Sequence, residues 1–324
     1  MTNIQTVLLE NNQGMLVEIL NFGARIKSIV LPVNGIATEM TVGYANVEDY
    51  LTDAFYLGAT CGRVCNRIEG GSFDLNGINF SLNQNENKHC LHGGEVSFAS
   101  RFWQIESSNK STVTLTLISE NGDQGFPGQL NLTVKYHLTE QNQLEIDYFG
   151  KTDAPTPVSI TNHAYFNLGN DSAEMLDVQI SASNMLQRKD NGLPSGKIIS
   201  VTNSDFDFTE PFNIGERHAN TTDINLQKMA CYDHCYVLDE ADISTVKATL
   251  VSKNTGVKMS LFTNQPAMQL YTGVALSGEF TAYQGLCLEA QHYSNAVNID
   301  HFPSSILLAN DEYKRKIIYQ FECL

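Results

Sequence analysis

The sequence predicts an all-β architecture, a sandwich or a barrel, on three observations. Many short stretches alternate apolar and polar residues with the two-residue period of a half-buried strand. Gly, Asn and Asp recur between those stretches as turn signals. No segment carries an apolar face at helical spacing long enough for a substantial helix. Many short strands punctuated by turns indicate packed or closed antiparallel sheets.

In chain order, Val7–Leu9, Met15–Asn21 and Ile26–Pro32 read as strands, separated by Asn11–Gly14 and Gly23. Asn34–Gly35 then predicts a hairpin turn. Ser72–Leu75 and Ile78–Leu82 form a second hairpin around Asn76–Gly77, a pair suited to a turn with φ > 0 at both central positions. Val113–Ser119 and Leu130–Leu138 alternate clearly, with the polar, turn-rich loop GDQGFPG at 122–128 between them. The pattern continues through Gln143–Gly150, Leu176–Ser181, Val246–Ser252, Lys258–Thr263, Ala267–Tyr271 and Lys316–Phe321. Val47–Leu51 and Ile224–Met229 each hold a short helical turn. With no linker, charge block or short-period repeat, residues 1–324 read as one continuous domain.

Composition narrows the function. Of 324 residues, 42% are hydrophobic, enough for a sizeable core. The formal net charge of −16 argues against nucleic acid or an anionic membrane as partner, since both require a basic face. No apolar run approaches the ~20 residues of a membrane span. The opening MTNIQTVLLENNQG lacks the basic and apolar regions of a signal peptide, so a cytoplasmic location is expected. Seven cysteines, an odd count in a large chain, do not suggest a disulfide framework. Cys61-x3-Cys65 and Cys231-x3-Cys235 sit in apolar runs, where Cys behaves as a small hydrophobe, so no metal is expected.

Five stretches could carry chemistry. Cys61–Gly94 groups Arg63, Asn66, Arg67 and His92 around the second hairpin. In TPVSITNHAYFNL, a strand over Val158–Thr161 delivers Asn162 and His163 among aromatic residues. An imidazole there can exchange protons near neutrality, or simply bond a carbonyl in the core. In GLCLEAQHYSNAVN, the apolar strand Gly285–Leu288 runs directly into Glu289, with Gln291 on the same face. A carboxyl in such a place is costly unless paired or functional, and desolvation raises its pKa. Asp233 heads the apolar run of CYDHCYVL, where it is either a turn residue or an acceptor for vicinal hydroxyls. Gln269 and Tyr271 in QPAMQLYTG are candidates to point into the same place.

Taken together these stretches resemble the aldose 1-epimerase (galactose mutarotase) family. The resemblance runs in order through NFGARIKSIVLP, LGATCGRVCNR, LNQNENKHCLHGG, GDQGFPG, ITNHAYFNL, GLPSGKI with FDFTEPFNIG, YDHCYVL, LYTG and LCLEAQHYSNAVN. It implies a large antiparallel β-sandwich, the galactose mutarotase-like supersandwich, with an open sugar-binding cleft on one sheet. It implies interconversion of the α and β anomers of free aldohexoses such as galactose and glucose, without metal or organic cofactor. It places the general acid on His163 and the general base on Glu289. Substrate binding falls on Asn66, Arg67, His92, Tyr165, Asp233 and Gln269. Two departures stand out: Ser294–Asn295 where the family often has Pro-Asp, and Asn310–Asp311–Glu312 where it usually has Pro-Gly-Glu. Two alternatives share the scaffold: an epimerase of hexose 6-phosphates, and a non-catalytic carbohydrate-binding module. The first calls for several cations around the far end of the sugar, and the chain has only seven Arg. Either a monomer or a homodimer is compatible with the sequence.

Overall fold

Alternation in sequence becomes alternation in burial. In Leu130–Leu138, the side chains of Leu130, Leu132, Val134, Tyr136 and Leu138 are buried, and those between them face outward. Gln143–Thr152 and Thr112–Ser119 follow the same rule. The computed structural model describes residues 3–324; the first two residues of the N-terminal stretch discussed above lie outside that range.

These strands belong to a nine-stranded antiparallel sheet in the order Gln104–Ser108, Thr112–Ser119, Leu130–Leu138, Gln143–Thr152, Tyr313–Cys323, Val257–Thr263, Ala248–Ser252, Leu176–Ile180, Phe212–Asn213. Facing it is a six-stranded sheet in the order Tyr165–Phe166, Leu286–Gln291, Ala267–Tyr271, Asp233–Val237, Asn184–Arg188, Pro194–Ser200. A four-stranded sheet is built from Thr6–Glu10, Leu16–Leu20, Arg25–Val33 and Ile36–Glu39. One hydrophobic cluster joins Leu132, Tyr136, Ile146 and Tyr319 of the first sheet to Tyr236, Met268, Leu270, Leu286, Leu288 and Ala290 of the second. The molecule is therefore a large antiparallel β-sandwich whose six-stranded sheet has a second, outward face free to carry a site.

Both expected hairpins form. Val33 pairs with Ile36 across Asn34 (φ 50°) and Gly35 (φ 79°), and Leu75 with Ile78 across Asn76 (φ 54°) and Gly77 (φ 78°). The short helix over Ile224–Met229 is present, its N-terminus capped by the Asp223 carboxylate accepting from the Leu226 N–H. A second one, Ile214–Ala219, was not read from the sequence.

Two strand expectations need correction. Val158–Thr161 is not one strand. The chain breaks into Thr156–Pro157, paired with Ile306–Leu307, and Thr161–Asn162, paired with Thr60–Cys61. Val158 through Thr161 are all buried, so the segment threads between elements instead of lying on a half-exposed sheet. The strand expected to stop at Leu288 runs over Leu286–Gln291, which puts Glu289 in mid-strand.

Candidate active site

The floor of the site is the outward face of the six-stranded sheet. Leu286, Leu288 and Ala290 point into the core, so Cys287, Glu289 and Gln291 point the other way. Register sets two rows across that face: Glu289 opposite Gln269 opposite Cys235, and Tyr165 opposite Cys287 opposite Tyr271 opposite Asp233. One wall comes from Arg67–Ile68 pairing with Cys90–Leu91, which brings Asn66 and His92 side by side. Both have left-handed backbones (φ 60° and 50°), and the Asn66 N–H donates to His92 Nδ1 at 3.2 Å. The loop of Ala54, Phe55 and Tyr56 continues the wall, the Tyr56 ring lying 4.7 Å from the His92 ring. Together they enclose a cleft of about 380 Å³.

His163 Nε2 and Glu289 Oε1 lie 3.6 Å apart in this cleft, with side chains only 6% and 3% exposed. Burial pushes the Glu289 carboxyl up to about 8, reinforced by the Asp233 charge and opposed by Arg67. Burial likewise lowers His163 to about 4, against a hydrogen bond to its own main chain and the Asp53 charge. Burial thus favours the uncharged form of each group, a protonated carboxyl and a neutral imidazole, the reverse of the resting states implied by a Glu base and a His acid. Glu289 Oε2 is buried without a hydrogen-bond partner. His163 Nδ1 lies 3.5 Å from the Cys287 sulfur, a thiol whose pKa burial raises well above its usual range. A neutral thiol orients the ring without stabilising an imidazolium, as a carboxylate there would.

Among the described residues, His92, His163 and Glu289 are the group whose donor atoms converge within 4.8 Å of one another, close enough to suggest a metal. The wiring of His92 opposes that. Its Nδ1 lone pair accepts the Asn66 N–H, so Nε2 carries the proton. A ligating imidazole needs the opposite arrangement, one nitrogen free and the other donating outward. Burial holds His92 well below the usual histidine range, so it stays neutral and offers an N–H suited to a sugar oxygen.

The far end of the cleft is charged. Arg67 donates through Nε and Nη2 to both Glu86 oxygens at 2.7 and 2.8 Å, and its Nη1 lies 3.7 Å from Asp233 Oδ2. Gln269 Nε2 donates to Asp233 Oδ1 at 2.6 Å, and Arg188 Nη2 donates to Oδ2 at 3.3 Å. The carboxylate is thus fixed in orientation from two sides.

Seven of the eight expected residues, Asn66, Arg67, His92, His163, Tyr165, Asp233 and Glu289, line this one cleft. Gln269 does not; it lies beside it and orients Asp233. Tyr165 lines it with its ring, while its hydroxyl donates to the Phe55 carbonyl at 3.1 Å. Arg63, grouped with Arg67 by sequence, turns away: it is 1% exposed and donates to the carbonyls of Pro127, Gly128 and Ser119. Tyr56, Glu86 and Arg188 were missed. Glu86 stands in LNQNENKHCLHGG, where an acid close to a functional Arg is the signal for it. The two departures sit outside the cleft. Ser294 Oγ accepts from Gln291 Nε2, and Asn295 Oδ1 accepts from the Glu69 N–H. Asp311 and Glu312 line a separate depression with His292 and Arg315.

Known proteins resemble this chain over its length. The family described as Aldose 1-epimerase matches residues 5–320. An "Aldose 1-epimerase" of Escherichia coli (strain K12) is 34% identical over 326 residues, covering 97% of this chain and 94% of that protein. A "Galactose mutarotase" of Sus scrofa is 31% identical, covering 98% and 94% respectively. The crystal structure of an aldose epimerase homologue from C. elegans superposes with a TM-score of 0.93 at 28% identity, over 99% of this chain and all (100%) of that one.

Proposed function

We infer, because the chain belongs to the aldose 1-epimerase family and is an isomerase of the mutarotase type, that His163 and Glu289 are the pair that opens and closes the sugar ring. The observation that carries this is their 3.6 Å approach in a cleft whose opposite end holds Arg67 and Asp233. The substrate is a free aldohexose, with galactose and glucose the first to try.

A hemiacetal opens when the anomeric hydroxyl loses its proton as the ring oxygen gains one. We assign the first transfer to Glu289 and the second to His163. The C1–ring oxygen bond breaks, C1 becomes an aldehyde, and rotation about C1–C2 presents its other face. Closure repeats the transfers in reverse, so each group must both give and take. The pair holds one proton, and opening as assigned runs from the form that carries it on His163, reached from the resting form by proton transfer from the Glu289 carboxyl to the imidazole. Each transfer contributes ~10²–10⁴-fold. His92 donates through its Nε2–H near the ring oxygen, and Arg67 with Asp233 holds the distal hydroxyls, fixing the sugar for reaction.

The test is polarimetry with a freshly dissolved anomer. The rate should exceed the buffer-catalysed rate, and a panel of free sugars should rank the preference. Activity confined to glucose 6-phosphate, or binding of galactose with no acceleration, would replace this function with one of its alternatives.

The pH profile follows from the pair. Below about 4 both groups are protonated and the base is lost; above about 8 both are deprotonated and the acid is lost. The two limbs belong to the pair and not to either residue. A bell-shaped kcat/KM with its plateau between these values is expected. A profile that stays flat across the alkaline limb would remove the pair from proton transfer.

Arg67→Ala should raise KM by about tenfold or more and lower kcat by less, because a charged hydrogen bond is lost from ground and transition states alike. An unchanged KM with a collapsed kcat would contradict the binding role.

A further inference from the structure

The guanidinium of Arg67 is held at its edges and covered on one face. At the edges, Nε and Nη2 donate to Glu86, and Nη1 lies 3.7 Å from Asp233. The backbone of Gly192 covers the face. A Cβ at position 192 would stand 2.9 Å from Arg67 Cζ, 3.0 Å from Nε and 3.0 Å from Nη1. An approach through the edge between those two nitrogens would bring both nearer than the carbon they flank. An atom nearest the central carbon lies over the plane instead. Contact that close leaves no room for a side chain at 192. The backbone there is also left-handed, with φ +85°, which glycine adopts without strain.

The loop that carries Gly192 is fastened on both sides. It joins Asn184–Arg188 to Pro194–Ser200, strands whose register shifts between Leu186 and Arg188, a bulge from which Arg188 Nη2 reaches Asp233. The Lys189 N–H donates to the Leu193 carbonyl at 2.7 Å. The Lys189 carbonyl accepts the Gly192 N–H at 3.0 Å and Arg188 Nη1 at 3.2 Å. Asn191 Oδ1 accepts the Leu193 N–H at 3.3 Å, and Leu193 itself is wholly buried. Backbone on one side of the contact is therefore fixed, and the other side is the end of a long side chain.

We propose that Gly192 is a positioning residue for sugar binding by this enzyme: the bare backbone at 192 closes over the Arg67 guanidinium and keeps it turned between Glu86 and Asp233, aimed at the cleft. The proposal rests on the reading of Arg67 as a substrate-binding group. A methyl group at 192 would meet the guanidinium before any other atom, so Arg67 is what gives way. Tilting or sliding the planar fork breaks its paired hydrogen bonds to Glu86, whose geometry requires both groups in one plane. The cleft then loses a fixed set of donors at the end far from His163 and Glu289.

The experiment measures anomer exchange of galactose by polarimetry, and urea midpoints, in Gly192→Ala, Gly196→Ala, Arg67→Ala and the double variant Arg67→Ala with Gly192→Ala. Gly196 isolates backbone strain: it lies on the next strand with φ +93°, and a Cβ there would meet nothing nearer than His301 at 3.7 Å. Gly192→Ala should raise KM about fivefold or more with a smaller fall in kcat, and Gly196→Ala should leave KM within about twofold of the parent. Once Arg67 is cut back, adding the methyl at 192 should change KM by less than about twofold, because the two positions are coupled. Equal KM values in the two glycine variants, or a Gly192→Ala effect undiminished without Arg67, would overturn the proposal. Should Gly192→Ala not fold, recovery of folding in the double variant would support it, and no recovery would overturn it. Parental KM in Arg67→Ala would instead overturn the binding role of Arg67. Whether residue 192 bears on the guanidinium would then be decided by the midpoints, which should fall further for Gly192→Ala in the parent than in Arg67→Ala.

Discussion

Glu289→Gln is expected to lose anomer exchange by ~10²–10⁴-fold and at the same time to make the protein more stable. Both effects come from the same burial. An unfolded Glu ionises near its ordinary 4.5, whereas the folded site holds the proton until about 8. Below the unfolded value both states are protonated and burial of the group carries no penalty for charge. As pH rises through the interval, the unfolded chain releases a proton that the folded chain keeps, and stability falls until the folded group ionises too. At neutral pH the loss is on the order of 3 kcal/mol, from about 1.4 kcal/mol per pH unit. Gln keeps the shape and never ionises. Urea melts of parent and variant should coincide in stability near the unfolded value, diverge as pH rises, and run parallel above about 8. A variant with parental kcat would refute the catalytic assignment. A stability difference independent of pH would refute the buried proton.

Asp53→Ala should be the most damaging single change to the fold near the cleft, at ~3–5 kcal/mol. Its carboxylate pairs with Arg25, and the two side chains are 0% and 2% exposed. It also accepts the Phe55 and Leu57 N–H groups, both at 2.9 Å. Arg25 donates further to the Leu57 and Ala99 carbonyls and lies over the Phe22 and Tyr50 rings. Removing the acid leaves a guanidinium buried without its counter-charge. It also releases the loop that carries Phe55 and Tyr56 into the cleft, so KM should rise as well. Because a buried ion pair gains little over a well-packed apolar pair, Arg25→Met with Asp53→Leu should recover much of the lost stability. Denaturant midpoints check both outcomes; a single variant within about 1 kcal/mol of the parent would show that the pair is not a stabilising anchor.

The parts of the fold legible in the sequence were those with one wet face. Leu130–Leu138 and Gln143–Thr152 alternate because one side meets the core and the other water. Asn184–Arg188 was not read because Met185 and Leu186 are adjacent and both buried, which erases the period at the bulge. Val158–Thr161 looked like a strand because Val158, Ser159, Ile160 and Thr161 alternate apolar and polar, yet all four are buried. Glu289 could be read because a lone acid in LCLEAQ contradicts its surroundings. Arg188 could not: an Arg beside Lys189 and Asp190 looks like solvated surface until the bulge turns it inward.

Glu289 sits midway along a strand paired with Ala267–Tyr271 from end to end, and its sequence neighbours Leu288 and Ala290 are core residues. Its main-chain amide should therefore exchange with deuterium only when the whole sandwich opens. The reacting carboxylate then has no private way to melt. Heat inactivation and the loss of the slowest-exchanging protons should share one midpoint, and turnover would serve as a direct count of molecules with an intact interior.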